Sequence, residues 1–211
     1  MRTKADTRLI VERLKKEYPV SECSLAYDDA WQLLVSVRLS AQCTDARVNI
    51  VTKDLFAKYP TLEALAAAGP DAIEAIIKPC GLGKSKARDL AGMANMLLRE
   101  YGGKVPQAME DLLRLPGVGR KSANLIRGDI FHLPAVVADT HCIRITGRLG
   151  LTDGSKDPLK VEQQLRKVIP PEEANNFCHR MVLHGRALCM ARKPDCGDCS
   201  LRPLCDHGSG K

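Results

Sequence analysis

The sequence predicts an all-α protein, and three observations carry that expectation. Apolar residues recur at a spacing near 3.6 in one segment after another. The segments begin at Thr or Asp, which cap helix N-termini, and stop at glycine. The only β-like run is LPAVVA at 133–138, which is short and closed by Asp139-Thr140, itself a natural helix start. In chain order, DDAWQLLVSVRLSAQ, TDARVNIVTKDLFAKY, TLEALAAAG and PDAIEAIIK carry the helical spacing, with Thr44 and Thr61 as N-caps and Gly81 as the stop. KSKARDLAGMANMLLREYGG follows and ends at Gly102. In LPGVGRKSA, Pro116-Gly117-Val118-Gly119 reads as a tight hairpin, because Gly tolerates positive φ and lets other backbone approach closely. The next helix runs from near Gly119 to Phe131, and DPLKVEQQLRKVIP starts another at Asp157. Gly81-Leu82-Gly83 echoes Gly117-Val118-Gly119, so the chain has room for two helix-hairpin-helix units.

The 211 residues, 45% of them hydrophobic, can bury one large core or two small ones. The start, MRTKADTRLIVERLKKEYP, lacks the apolar stretch of a signal peptide, and no run approaches the roughly 18 apolar residues of a membrane span. A soluble protein of the cytoplasm or nucleoid, with no membrane partner, is expected. A net charge of +7 and a pI near 9.0 favour a polyanionic partner. Between Arg114 and Arg148, six basic residues (Arg114, Arg120, Lys121, Arg127, Arg144, Arg148) face two acidic ones, Asp129 and Asp139. Lys78, Lys84, Lys86 and Arg88 bracket PCGLGKSKA. Clustering at two hairpins favours nucleic acid over a merely solvated lysine face. With aromatics at 4%, a stacking platform for single strands is not expected.

The helix after the second hairpin turns its unpaired N–H groups and positive end toward the turn, which makes an anion site. A Walker A loop needs G-x-x-x-x-G-K-[ST], and neither turn provides it: Arg120 precedes Lys121, and the upstream glycine position of Gly83-Lys84-Ser85 holds Lys78. Nucleotide triphosphate is thereby set aside. What remains is a hairpin whose amides at Gly117, Val118 and Gly119, with Arg120 beside them, hold a nucleic-acid phosphate without reading sequence. An ordinary interhelical turn is the alternative. If LPAVVA returns along the hairpin helix, Asp139 comes back to its N-terminal end, and Lys121 and Asp139 share one cleft. An amine attacks carbon only when neutral, and its usual pKa of ~10.4 falls beside a cation and a positive helix end, here Arg120 and the dipole. A carboxylate there can take the amine's proton and stabilise a positive sugar in the transition state. Asp139 can also simply cap its own helix.

Cys189, Cys196, Cys199 and Cys205 form C-x6-C-x2-C-x5-C. Structural zinc usually takes two C-x-x-C knuckles, and this chain has one, with wider flanking gaps that can wrap a larger object. Four thiolates on a [4Fe–4S] cubane suit that spacing, with zinc the minor alternative. The other five cysteines (Cys23, Cys43, Cys80, Cys142, Cys178) read as small buried hydrophobes, because a chain without an export signal does not suggest a disulfide framework.

LPGVGRKSA followed by VVADTHCIRITGRLGL resembles the helix-hairpin-helix, Gly/Pro-rich loop and Asp signature of the DNA glycosylase superfamily, and within it the endonuclease III family. LSAQCTDARVN at 39–49, CGLGKSKA at 80–87 and LHGRALCMARKPDCGDCSLRPLC at 183–205 match in order and spacing, so the resemblance spans essentially the whole chain. It implies a base-excision-repair bifunctional DNA glycosylase and abasic-site lyase that removes oxidised pyrimidines from damaged double-stranded DNA. Lys121 would form a Schiff base at C1′ of a flipped nucleotide, with Asp139 assisting, and β-elimination would nick the strand. The resemblance also implies a [4Fe–4S] cluster on the four clustered cysteines and phosphate contacts from Arg192 and Lys193 in MARKPD. Gln42 would fill the space the flipped nucleotide leaves, while Leu82 wedges into the stack opposite. Asp45 suits a pocket contact and a helix-end charge equally, and His141 a pocket or a structural role. Adenine-removing relatives lack a nucleophile at the position of Lys121 and carry a further C-terminal domain, so they are set aside. Gly83-Lys84 departs from the aromatic and polar pair common in this loop. The implied architecture is a monomer of two helical lobes: a six-helix barrel over 22–133 and a cluster domain made of 1–21 and 134–211, with a DNA groove between them. Two other classes compete. A non-enzymatic DNA-binding protein would need neither Lys121 nor Asp139, and an iron-sulfur redox sensor leaves the nucleophile without a purpose.

Overall fold

Local capping sets the helix boundaries. The structure, a computed structural model, describes residues 2–209. Thr3 accepts the Asp6 amide and starts α1 (Lys4–Glu17). Gln32 Oε1 accepts the amides of Asp28 and Asp29 at the head of α2 (Ala30–Leu39). Thr44 and Thr61 accept the amides of Arg47 and Ala64, starting α3 (Asp45–Lys58) and α4 (Leu62–Ala67). After α5 (Gly69–Ile77) comes a single 3₁₀ turn, Lys78–Cys80, and then α6 (Gly83–Tyr101), which stops at left-handed Gly102. The chain continues through α7 (Met109–Arg114), α8 (Arg120–Asp129) and α9 (Thr140–Arg148), then α10 (Pro158–Val168), capped by Asp157, and α11 (Ala174–Ala187). The fold is all-helical, with no strand among the described residues. LPAVVA has no second β-like run to pair with. It forms neither helix nor strand and buries Ala135 to Ala138, and its Val137 amide donates to Cys178 Sγ at 3.2 Å.

The chain divides into two compact units, Cys23–Phe131 and Met1–Glu22 with His132–Lys211. The first holds α2 to α8, seven helical segments where the sequence shows six. The additional one is α7, whose six residues are too few to display a period. In this unit α4 and α5 pack on α6, α2 packs on α3 and α8, and α7 packs on α8. Leu33, Leu39, Val48, Leu55, Ile73, Leu90 and Ile126 are fully enclosed, each such side chain contributing about 1.5–3 kcal/mol. Trp31 and Phe56 meet edge to face at 5.3 Å.

In the second unit α1 packs on α11 and α11 on α9. Ile10, Leu14, Ile145, Leu165, Phe177 and Met181 form its interior. Arg13 Nη1 donates to Ser200 O at 2.5 Å and Lys15 pairs with Glu173 at 2.5 Å, so the N-terminal helix is fastened to C-terminal segments. A Cβ at Gly185 would lie 2.3 Å from His141 Nδ1, so α11 and α9 meet there at a distance only glycine permits. Among the scattered cysteines, Cys80, Cys142 and Cys178 are buried and Cys23 and Cys43 half-buried. Burial pushes the Cys23 thiol up to about 12, keeping it a neutral, inert group. No helix among the described residues is long and apolar enough to cross a membrane.

Candidate active site and nucleic-acid interface

The turn before α8 is built over an ion pair. Arg38 of α2 donates through Nε to Asp89 Oδ2 of α6 at 2.7 Å. Gly117, at φ 75°, rests on it so closely that a Cβ would stand 2.6 Å from Arg38 Cδ and Nε. Val118, expected among the nucleic-acid contacts, turns inward instead. Its side chain is 8% exposed within the core and its amide donates to Leu115 O at 3.1 Å. Gly119 is extended, a Cβ there would meet open space, and no side chain caps the helix it starts. Arg120 and Lys121 follow, both exposed in the first turn of α8. A helix start dressed only by glycine, with two cations beside it, suits close approach of an anion.

The Gln42 and Leu82 turns lie in the same unit. Gln42 has φ 57° and Leu82 φ 52°, and both are exposed, Leu82 by 56%. Between the segments that lead into them lies Lys86, whose Nζ donates to Leu39 O and Ala41 O at 2.8 Å and to Cys80 O at 2.9 Å. Counted from sequence among the surface cations of PCGLGKSKA, Lys86 is fully buried, and that burial lowers its pKa. Asp45 heads α3 and its Oδ2 accepts the Ser24 hydroxyl at 2.6 Å, which ties the entry segment to a helix N-terminus.

In the other unit Asp139 is the N-cap of α9, with Oδ1 accepting the Cys142 amide at 2.7 Å. Lys121 and Asp139 thus stand at the heads of two helices, one in each unit. His141 Nδ1 lies 3.2 Å from Arg144 Nη2, where Gly185 of α11 approaches α9. Arg144 also donates to Cys189 O at 2.9 Å. Arg148 donates to Met190 O at 2.8 Å, to Ala191 O at 2.9 Å and to Cys189 Sγ at 3.2 Å. Arg114 pairs with Glu100 at 2.5 Å. Arg114, Arg144 and Arg148, counted in sequence among the clustered cations, are therefore engaged with the protein itself. The loop that Arg144 and Arg148 fasten carries Arg192 and Lys193, both exposed.

Cys189, Cys196, Cys199 and Cys205 line one cavity, together with Ile145, Leu149, Pro194 and Leu201. Burial, then the neighbouring sulfurs, raise the pKa values of Cys199 and Cys205. Gly208 donates its amide to Cys205 Sγ at 3.4 Å. Among the described residues no three His, Cys, Asp or Glu side chains close on a single-ion position. Four thiols spread around a cavity form a donor set that fits a polynuclear group better than one ion.

Residues 35–171, which take in both glycine turns and Asp139, match the HhH-GPD superfamily of base excision DNA repair proteins. Endonuclease III of Synechocystis sp. is 48% identical over 193 residues, covering 91% of this chain and 88% of that protein. Endonuclease III of Bacillus subtilis is 39% identical over 198 residues, covering 94% and 90%. Among solved structures, a trapped endonuclease III–DNA covalent intermediate in an estranged-adenine complex matches with a TM-score of 0.93 at 41% identity, over 100% of this chain and 99% of that one. A thermostable thymine-DNA glycosylase shares the fold at a TM-score of 0.88 and 21% identity, over 98% of each chain. The chain belongs to the endonuclease III family of base excision DNA repair enzymes.

Proposed function

We propose that this enzyme is a bifunctional DNA glycosylase and abasic-site lyase that removes oxidised pyrimidines from damaged duplex DNA, acting as a monomer on the nucleoid. One observation carries the reading. Lys121 offers an exposed amine at a glycine-capped helix start, in a chain 41% identical to an endonuclease III trapped covalently on DNA. Gln42 and Leu82 hold the duplex open around a flipped nucleotide, and Arg192 and Lys193 contact phosphates. Neutral Lys121 Nζ attacks C1′. The N-glycosidic bond breaks and its electron pair leaves with the base, which takes up a proton. Asp139, capping α9 through one oxygen, presents the other to the sugar, stabilises its positive charge and accepts the amine's proton. The sugar ring opens to a Schiff base. Loss of a C2′ proton then expels the 3′ phosphate, and water releases Lys121.

Cys189, Cys196, Cys199 and Cys205 would hold a [4Fe–4S] cluster. When bound, it supplies metal–thiolate bonds that stand in for an apolar core where Leu201 is the one buried hydrophobic residue among described positions 189–209.

Borohydride trapping and single-turnover cleavage test the reading. Lys121→Gln should bind damaged DNA but give no trapped adduct and no cleavage. Asp139→Asn should slow base removal by at least ~100-fold while keeping a larger share of lyase activity on a preformed abasic site. A trapped adduct with Lys121→Gln would mean that another amine is the nucleophile.

A further inference from the structure

Gln42 and Leu82, with His132, are the non-glycine residues of positive φ among those described. Left-handed backbone is unfavourable for any residue with a Cβ, so each turn needs something that holds it. The side chains do not provide it, since both point to solvent. The constraint lies underneath. An ammonium has three donors, and Lys86 matches each to a carbonyl: Leu39 and Ala41 just before Gln42, and Cys80 just before Gly81-Leu82. Leu39 and Ala41 lie at the C-terminal end of α2, where unpaired carbonyls and the negative end of the dipole favour a cation. One buried charge thus joins two loops that lie 47 and 6 residues from it in sequence.

We propose that Lys86 is a positioning residue that clamps the Gln42 and Leu82 turns to each other, so that the two tips enter a duplex as one pre-set pair; this rests on the reading above that these tips insert. Ordering them in the free enzyme removes that cost from the binding step. Lys86 touches neither substrate nor reacting atoms. Its loss should therefore slow the opening of a paired duplex and spare the chemistry at a sugar whose base is already gone.

Lys86→Met keeps the buried stem and removes the donors. Single-turnover excision from a duplex holding 5,6-dihydroxy-5,6-dihydrothymine should fall about 10- to 100-fold, the range for losing hydrogen bonds to a charged group. Cleavage of a preformed abasic duplex should stay within about 2-fold, as expected of a step that does not use the clamp. In a Gln42→Ala/Leu82→Ala background the added substitution should change excision by no more than about 2-fold, because the tips it serves are gone. Lys86→Gln, which retains two donors, is the gentler variant should Lys86→Met fail to fold. With it, 2-aminopurine fluorescence opposite the lesion should show less unstacking than with wild type. Equal losses on both duplexes, fully multiplicative effects in the double-variant background, or unchanged fluorescence would each overturn the clamp. If Leu82→Ala itself affects both duplexes equally, the insertion reading fails; if Leu82→Ala is selective and Lys86→Met is not, the clamp alone fails.

Discussion

Gly81-Leu82-Gly83 and Gly117-Val118-Gly119 are nearly the same three residues, and the protein uses them in opposite ways. In the first turn the middle residue is left-handed and 56% exposed; in the second it is 8% exposed, and left-handedness falls on Gly117. A pair of glycines lets the chain reverse, but it does not choose which way the residue between them faces. What lies underneath chooses. Beneath Gly117 is the Arg38–Asp89 pair, so close that the turn is drawn onto the core and Val118 sinks into it. Beneath the first turn the Lys86 ammonium holds the Cys80 carbonyl, and Leu82 is carried outward at the head of α6.

The sharpest way to break this contrast is to add one methyl to each turn. Gly117→Ala should cost about 3 kcal/mol, combining a left-handed penalty with a clash against Arg38. Gly81→Ala, at φ 72° and ψ 160°, has nothing within 4 Å of the new Cβ, so it should carry backbone strain alone, about 1–2 kcal/mol. Urea unfolding of both variants decides; equal costs would mean that the underlying ion pair does not set the second turn.

Truncating the middle residues sharpens the contrast further. Val118→Ala should lower stability by about 1–2 kcal/mol, with turnover otherwise intact. Leu82→Ala should change stability by less than ~0.5 kcal/mol yet weaken excision of a paired damaged base far more than cleavage of an abasic site. Reversed outcomes in paired unfolding and turnover measurements would exchange the roles of the two turns. The smallest effect belongs to the exposed loop outside both. Lys193→Ala should reduce the salt dependence of DNA binding by about one ion without altering lesion preference, as read from affinities across a salt series.

How far the site was legible follows from how far each partner lies along the chain. Thr44 and Thr61 bond amides three residues on, and Asp139 bonds Cys142, also three on, so a local pattern was enough to find them. The four clustered cysteines lie within 17 residues and surround one cavity. Charge counting did less well. Arg114 was counted toward DNA but faces Glu100, and Arg144 and Arg148 reach carbonyls more than forty residues away. Lys86 carried a sign that charge counting overlooked: it sits in register with Leu90, Ala94 and Leu97, the buried stripe of α6.

By itself the sequence determined the longer periodic helices, the caps at Thr44, Thr61, Asp139 and Asp157, the cysteine set and the family signature, because those rest on neighbours a few residues apart and on residue chemistry that no fold can change. Only the tertiary structure decided which glycine turn presents its apolar residue, which cations reach solvent and what holds Gln42 and Leu82 in place. Those outcomes depend on carbonyls and carboxylates that the packing of α2 against α6 and of α9 against α11 brings within hydrogen-bond reach, and burial then makes each such contact too costly to leave unpaired.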